Sequence, residues 1–472
     1  MAYRDIREYL KTLENKGKLR RVKKEVDKDW EIAAVCRQLF YKFLPENRPA
    51  LLFERVKDFS IPVLAGSAAA SPEIYKIGLE AKTWQEIDKR WFSALERPIP
   101  PRMIQKAPCK ENILLGDKID ITAFPIPIWT PGQDAAPYIT APLVITKDRA
   151  SGIRNIGTHR MMIKNANTTG MHIGTVQDAA RHIKQYEDLG LPAPLAVAIG
   201  TDPTLCYVST TRSAEHIDEF ALAGGLRNEP VELIQCETVP LEVPATAEII
   251  LEGEIIPGTL ELEGPFGEFT GYMSPQGMRR VFRIKCITHR NNPIYHAFIS
   301  QKPPSESSCI RKIGNERIIM HHLRDILNLP VSGVNLKESG GSEAIAVISL
   351  QKQYEGQVKQ LIHGLWSLKG GVAKLVIVVD EDVDVQNDFE VELAISFRMQ
   401  PHKDVYIERG ERAIVYDPSL APENASQLDP RRSIGSRMVI DATKKHAFPE
   451  PSLPPLDHLN LVHSRWKEYG ID

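Results

Sequence analysis

Glu261, Glu263 and Glu268 lie within the stretch ELEGPFGEFTGYM, and the last two bracket the turn Gly264-Pro265-Phe266-Gly267. Carboxyl groups that converge push each other's pKa values apart, which leaves one able to carry a proton near neutrality. The run LEGEII, then LELEGPFGEF, alternates apolar and acidic residues, so Glu261 and Glu263 share one face of a strand. Five residues separate positions 263 and 268, an odd offset that in a straight strand points side chains to opposite faces. Glycine at both ends of the turn, with proline between them, lets the chain bend so that Glu263 and Glu268 converge. The same spacing also fits solvated acids on an ordinary hairpin.

A second stretch, GIRNIGTHRMMIK, carries Asn155 and Arg160. The planar fork of an arginine can pair with a glutamate, fix its orientation and present N–H groups to a substrate carboxylate. Taken singly, Arg160 equally suits a surface ion pair. Glu219 lies one turn after Glu215 in the helical pattern SAEHIDEFALAGG. Asn155 and Glu219 both offer oxygen, which suits a hard cation such as magnesium, manganese or potassium. By itself Glu219 also suits a plain surface helix.

The elements that must position these groups follow from periodicity. Ile6, Tyr9, Leu10 and Leu13 fall on one face of an opening helix that Gly17 ends. Strand-like runs follow at ALLFERV and IPVLAG, and the proline-rich RPIPPRMIQKAP reads as a linker. From about residue 118 to 300 the pattern is mainly short strands, among them APLVITKD, LAVAIGTD, AEIILEGEI and RRVFRIKCITHR. Two helices interrupt it: TVQDAARHIKQYEDLG, capped by Thr175 with Asp178 as the capping-box acid, and SAEHIDEFALAGG, capped by Ser213. After about residue 305, helix and strand alternate through EAIAVISL, QVKQLIHGLWSL and AKLVIVVDEDVDV, the signature of an α/β domain. The proline-rich tail from Ala447 is expected to wrap over a neighbouring surface.

At 472 residues the chain calls for two or three domains. A formal net charge of -2 argues against nucleic acid or an anionic membrane as the main partner, leaving room for a local basic site for a phosphate. Six cysteines without a CxxC pair make a poor disulfide framework and a poor zinc site. The charged N-terminal stretch lacks an apolar signal core, and LVIVV is far too short to span a bilayer, so a cytoplasmic location is expected.

Together these segments resemble the UbiD family of prenylated-flavin-dependent decarboxylases. The resemblance runs from AYRDIREYLKTLENKGKL to GSRMVIDATKK. Its most specific parts are the N-x4-R of Asn155 to Arg160, the EGPFGE of Glu263 to Glu268, and VIVVDEDVDV from Val376. LEGEIIPG…EGPFGEFTGY and RNNPIYH are similar to 4-hydroxybenzoate-type and furoate-type members.

The resemblance implies an N-terminal α/β region (1–115), a flavin-binding split β-barrel with the catalytic residues (116–305), and a C-terminal α/β domain that mediates oligomerisation (306–472). It implies a triad of Arg160, Glu263 and Glu268: Glu268 donates the proton that quenches the carbon left by CO2, while Arg160 and Glu263 form the pair that positions it. It implies prenylated FMN lined by the backbone around Thr158 and His159. A divalent metal (Mn2+ or Mg2+) held by Asn155 and Glu219 would bridge to the flavin phosphate, with K+ close by. The family's third metal ligand is usually a histidine, where this chain has Gln177. Gln177 is then the ligand, His172 replaces it, the metal binds loosely, or Gln177 is a plain surface residue. His296 is the candidate substrate contact, with a buried, structurally satisfied histidine as the alternative.

Losing CO2 from an sp2 carbon leaves an in-plane electron pair that no ordinary side chain stabilises, so a cofactor must supply the sink. The expected activity is the reversible decarboxylation of an aromatic, heteroaromatic or α,β-unsaturated acid. The expected partners are the acid and CO2, a flavin prenyltransferase as cofactor supplier, and like chains in a homodimer or homohexamer. A physiological carboxylase, or a decarboxylase of a CoA-linked aromatic acid, is the rival within that chemistry. From other classes, an electron-transfer flavoprotein lacks a nicotinamide fingerprint, and a non-catalytic carboxylase subunit has no need of all three triad residues.

Overall fold

Four apolar residues, Ile6, Tyr9, Leu10 and Leu13, are buried along the first helix, Ile6–Asn15, as its periodicity predicts. Asp5 caps this helix by accepting from the Glu8 N–H at 2.9 Å, and Gly17 beyond its end takes a left-handed φ of 68°. The computed structural model describes residues 3–175, 177–213, 216–368, 373–414, 416–421 and 433–471.

The first sheet joins Leu19–Val22, Ala50–Phe53, Val63–Ala65 and, from far along the chain, Tyr295–Ala297. The proline-rich segment is less free than its composition suggests. Ile99, Arg102 and Ile104 donate backbone hydrogen bonds to Ala221, Val231 and Leu233, and Arg102–Met103 is a short strand beside Glu232–Gln235. The prolines lack N–H donors, but the residues between them supply the pairing.

The central sheet has nine strands. Its path begins at Tyr138–Ile139 and continues through Met161–Asn165, Thr168–Met171, Gly277–His289, Ile249–Glu263, Ala193–Ile199 and Leu143–Lys147 to Arg154–Thr158. Asn112–Leu115 pairs with Gly277–His289 off this path. Arg154–Thr158 is the last strand of the path and Met161–Asn165 the second, yet only His159 and Arg160 separate them in sequence. Three Cα steps reach at most about 11 Å. The two ends of the sheet are therefore drawn together, the curled form expected of a split barrel, and Arg160 sits at the seam.

The C-terminal sheet runs Val331–Leu336, Ile345–Leu350, Leu375–Asp380, Ile434–Ala442, Val405–Arg412, with parallel pairing in its centre. Gln357–Trp366 supplies its crossover helix, burying Val358, Leu361, Ile362 and Leu365. The N-terminal and central regions share one continuous apolar core, whereas the C-terminal sheet carries separate clusters on its two faces. In the tail, the helix Leu456–Ser464 buries none of its residues, and Leu456, Leu461 and Trp466 stand exposed.

Two helix starts differ from expectation. Gln177, not Thr175, is the cap residue of Asp178–Glu187, so Asp178 occupies the first helical position. The other helix is Glu219–Arg227, and Asp218 caps it by accepting from the Phe220 and Ala221 N–H groups. An aspartate directly before the apolar run competes better for the orphan N–H groups than Ser213 five residues upstream. Ser213 instead donates to Glu219. Glu215, expected one turn before Glu219, lies outside the described residues.

Candidate active site

The acid-bearing turn belongs to a thirteen-residue connection between Ile249–Glu263 and Gly277–His289, whose last registered pair is Glu263 with Gly277. Glu261 faces solvent near Lys164, while Glu263 at the strand's end is fully buried. The strand's burial pattern breaks there, so the two acids do not share an environment. Gly264 follows with φ 91°, a conformation that disfavours any residue with a Cβ. A Cβ there would also stand 3.0 Å from the Pro275 carbonyl.

The chain then folds into an inner hairpin in which Gly267 pairs with Met273 and the Glu268 N–H donates to the Tyr272 carbonyl. Asp134 holds this hairpin from outside, accepting from the Thr130 N–H at 2.7 Å and the Gly267 N–H at 3.3 Å. Burial pushes its carboxyl up to about 6 despite these donors. Asp134 has no counterpart among the sequence candidates. Its only signal is a lone acid between Gly132 and Ala135, which spacing does not connect to a loop 133 residues away.

Arg160 meets both acids. Its Nε and Nη2 donate to the two oxygens of Glu263 at 2.8 Å each, a two-pronged pairing, and its Nη1 donates to Glu268. The glutamates lie 103 and 108 residues from the arginine in sequence. Arg160 is also stacked over Phe266 at 5.1 Å. Burial works against its charge, but the two glutamates outweigh burial and raise its pKa above the ordinary value. For Glu268, burial raises the carboxyl above its ordinary range and the Glu263 charge adds to this, against Arg160 and Arg311. Thus the two acids differ in kind: Glu263 is locked in the fork, and Glu268, 14% exposed, opens on a cavity.

That cavity, of about 710 Å³, lies between the curled sheet and the C-terminal sheet. Asn155, Thr158, His159, Arg160, Gln177 and Glu219 all line it. Its opposite wall includes Lys374, Arg412 and Tyr416. Thr158 shares a hydrogen bond of 2.8 Å with Ser209. His159 is buried, which lowers its pKa to about 4 and keeps it neutral. Gly157 leaves room for the imidazole, because a Cβ there would collide with the ring.

At the far end, Glu219 accepts from the Ser213 hydroxyl at 2.8 Å and the Ile156 N–H at 3.2 Å. Burial raises its carboxyl to about 8, and the charge of Asp178 contributes in the same direction. Asp178, whose spacing predicts only a capping-box acid, lines the same cavity as a second carboxylate. Among the described residues the Asn155 side chain makes no hydrogen bond, so its amide is available to a ligand. Gln177 lies at the exposed mouth and accepts from the Gly174 N–H at 2.7 Å through Oε1.

The two other candidate histidines differ in place: His172 lines the cavity and His296 does not. His172 does not join Asn155 and Glu219. Its Nδ1 accepts from Arg279 Nε at 2.8 Å, and its Nε2 lies 3.0 Å from the Tyr416 hydroxyl. His296 is buried on the N-terminal sheet, 3.0 Å from the Ser67 hydroxyl, and is not among the residues lining the cavity. Its strand pairs with Val63–Ala65 rather than continuing the cavity wall, and among the described residues its Nδ1 meets no hydrogen-bond partner, so His296 is buried but not fully satisfied.

Glu219 has a pH signature that can be measured without any ligand. Its folded pKa, about 8, exceeds the ordinary 4.5. Its contribution to stability is therefore full below about pH 4.5 and is lost as pH rises through about 8, with a slope of at most about 1.4 kcal/mol per pH unit. Glu219→Gln should flatten this fall in chemical denaturation between about pH 5 and 8. A variant with the wild-type slope would remove Glu219 as its source.

Comparison with known proteins gives one consistent result. Residues 10–91, 102–303 and 310–442 match in turn the N-terminal, Rift-related and C-terminal domains of UbiD, described as 3-octaprenyl-4-hydroxybenzoate carboxy-lyase. An uncharacterised protein of Archaeoglobus fulgidus is 38% identical, the match covering 94% of this chain and 92% of that protein. The UbiD-class enzyme HmfF from Pelotomaculum thermopropionicum, solved in complex with FMN, is 35% identical with a TM-score of 0.85 over 97% of this chain and 99% of its own. The closed form of Sedimentibacter hydroxybenzoicus vanillic acid decarboxylase is 29% identical with a TM-score of 0.88 over the whole of both chains. In addition, an evolved dimeric HmfF in complex with prFMN is 34% identical, with a TM-score of 0.82 over 96% of this chain and 98% of its own.

Proposed function

The chain belongs to the UbiD family, and from that premise we propose that it catalyses the reversible, non-oxidative decarboxylation of an aromatic, heteroaromatic or α,β-unsaturated carboxylic acid with prenylated FMN in the cavity. The observation that carries this reading is the arrangement of Arg160. Its fork grips the buried Glu263, and its Nη1 holds Glu268, the acid that burial raises above its ordinary range.

Five N–H groups belong to a guanidinium, and Glu263 and Glu268 take three of them. The two that remain orient the carboxylate of an incoming acid. Glu268 delivers the proton to the carbon that CO2 leaves, and in the reverse direction removes it. Glu263 moves no proton; it fixes the plane of the guanidinium and through it the position of Glu268. Closure of the cavity between the two sheets excludes water from the site of proton transfer. When bound, prenylated FMN supplies the electron sink for the pair left on the sp2 carbon.

The residues present fit these groups. A cavity of about 710 Å³ with a neutral imidazole, hydroxyls and arginines on its walls suits a cofactor together with a small acid. Among the described residues, a buried carboxylate without a basic partner, beside an amide that makes no hydrogen bond, suits a divalent cation. Asn155 and Glu219 would hold Mn2+ or Mg2+, with Gln177 as third ligand if its oxygen exchanges Gly174 for the ion, or Asp178 in its place. A K+ ion bound by backbone carbonyls belongs to the same reading. So does a flavin prenyltransferase as supplier of the cofactor, and assembly of like chains as a homodimer or homohexamer, which the exposed apolar side chains of the tail support.

Co-expression with a flavin prenyltransferase and anaerobic purification test this directly. Near-stoichiometric prenylated FMN released on denaturation, with CO2 produced from at least one member of an aromatic acid panel, is the expected result. Well-folded protein carrying plain FMN or none, and inert toward the panel, would overturn it.

A further inference from the structure

Tyr416 is the one aromatic side chain that the C-terminal lobe brings to the Arg160 guanidinium, at 5.9 Å from its ring, among the described contacts. It belongs to a segment anchored on that lobe: Lys374 donates to Asp417 at 2.8 Å and to Ser419 at 2.6 Å. Tyr416 itself takes a left-handed φ of 62°, a costly conformation for an aromatic residue and one that proteins retain chiefly at ligand sites. Its hydroxyl lies 3.0 Å from His172 Nε2, across the boundary between the lobe and the curled sheet.

The direction of that hydrogen bond follows from its other end. Arg279 Nε only donates, so His172 Nδ1 must accept. His172 is neutral, because burial and the charges of Arg160 and Arg279 hold it well below the ordinary histidine range. A neutral imidazole whose Nδ1 accepts carries its proton on Nε2. His172 therefore donates to the Tyr416 oxygen, and the phenol proton is left without an acceptor among the described residues. Tyr416, Arg160 and Glu268 line the same cavity, and both charged groups act electrostatically on the phenol.

We propose that Tyr416 is a substrate-binding residue whose hydroxyl, set as a donor by the chain Arg279 to His172 to Tyr416, hydrogen-bonds an oxygen of the substrate carboxylate held by Arg160. This rests on the decarboxylase reading for the identity of the substrate. Arg160 binds the carboxylate from the curled sheet and Tyr416 binds it from the C-terminal lobe, so an acid in the cavity ties the two together. An uncharged amide of the same shape gains far less from the same donor, since a hydrogen bond to an ionised oxygen is about twice as strong as a neutral one.

The test uses the holoenzyme and its Tyr416→Phe variant, which keeps the ring and its packing. Binding of benzoate, 4-hydroxybenzoate and 2-furoate, and of the corresponding carboxamides, is measured by calorimetry, together with thermal stability. The expected result is a loss of about tenfold or more in carboxylate affinity, with a loss of about threefold or less for the amides and an unchanged melting temperature. In parallel, 15N NMR of His172 should show a neutral ring protonated on Nε2. Unchanged carboxylate affinity, equal losses for carboxylate and amide, no carboxylate binding to the wild type, or a His172 proton on Nδ1 would each overturn the proposal. Absence of prenylated FMN and of CO2 release in the wild type would instead overturn the decarboxylase reading, and the carboxylate-to-amide contrast in binding would still decide the role of Tyr416.

Discussion

Glu268→Gln should reduce decarboxylation by about a hundredfold to ten-thousandfold while leaving the fold and the bound cofactor in place. The amide matches the carboxyl in volume, and its oxygen still accepts from Arg160 Nη1, so the substitution removes the transferable proton and little else. General acid catalysis by one positioned group is worth about 10²–10⁴ in rate. The pH dependence has a definite sign. Burial, aided by Glu263, lifts Glu268 above the ordinary carboxyl range, and the decarboxylation direction needs it protonated. Turnover should therefore fall as pH rises through its pKa, and the substitution should abolish that limb along with the rate. Decarboxylation in D2O, followed by mass spectrometry, should place one deuteron on the product carbon. Wild-type rates in the variant would sink the assignment.

Arg160→Ala should be the most damaging single change to stability at the site. It strands Glu263, whose side chain has no exposure, without the two N–H groups that now bind both its oxygens. Breaking a buried pair from one side costs about 3–5 kcal/mol because a charge is left uncompensated. Removing both partners is a different matter. Arg160→Met combined with Glu263→Met replaces the pair with apolar volume, and should recover most of the stability lost by the single change. It should recover no activity, because Glu268 then lacks the group that holds it. Urea denaturation of the single and double variants, with rates measured alongside, separates the two roles. A single variant within about 1 kcal/mol of wild type would mean that the pair is not the buried unit described. Arg160→Lys keeps the charge but not the fork, and is expected to resemble alanine in rate more than in stability.

Several parts of this protein were legible in its residues alone. The first helix, the long acidic strand and the change to alternating helix and strand after residue 305 are written in local periodicity, because burial of one face imposes a period of 3.6 or 2 on the sequence. The bracketing of a turn by Glu263 and Glu268 was also visible, although not their separate environments. The motifs Asn155 to Arg160 and Glu263 to Glu268 carried the family resemblance, and the structure brings Arg160 into hydrogen-bonding contact with both acids.

What only the tertiary structure decided are the features created by chain segments far apart in sequence. The seam at Arg160 exists because a nine-stranded sheet curls until two residues suffice to link its last strand to its second, a long-range arrangement that no single strand's composition encodes. Asp134 acts on the acid loop from 133 residues away, and Tyr416 reaches His172 from 244 residues away. His172 was a candidate metal ligand by residue type, yet both its nitrogens meet protein partners, whereas His296, the candidate substrate contact, is buried away from the cavity with Nε2 beside Ser67. Sequence spacing determines which residues share a face; folding over long separations determines which faces share a cavity.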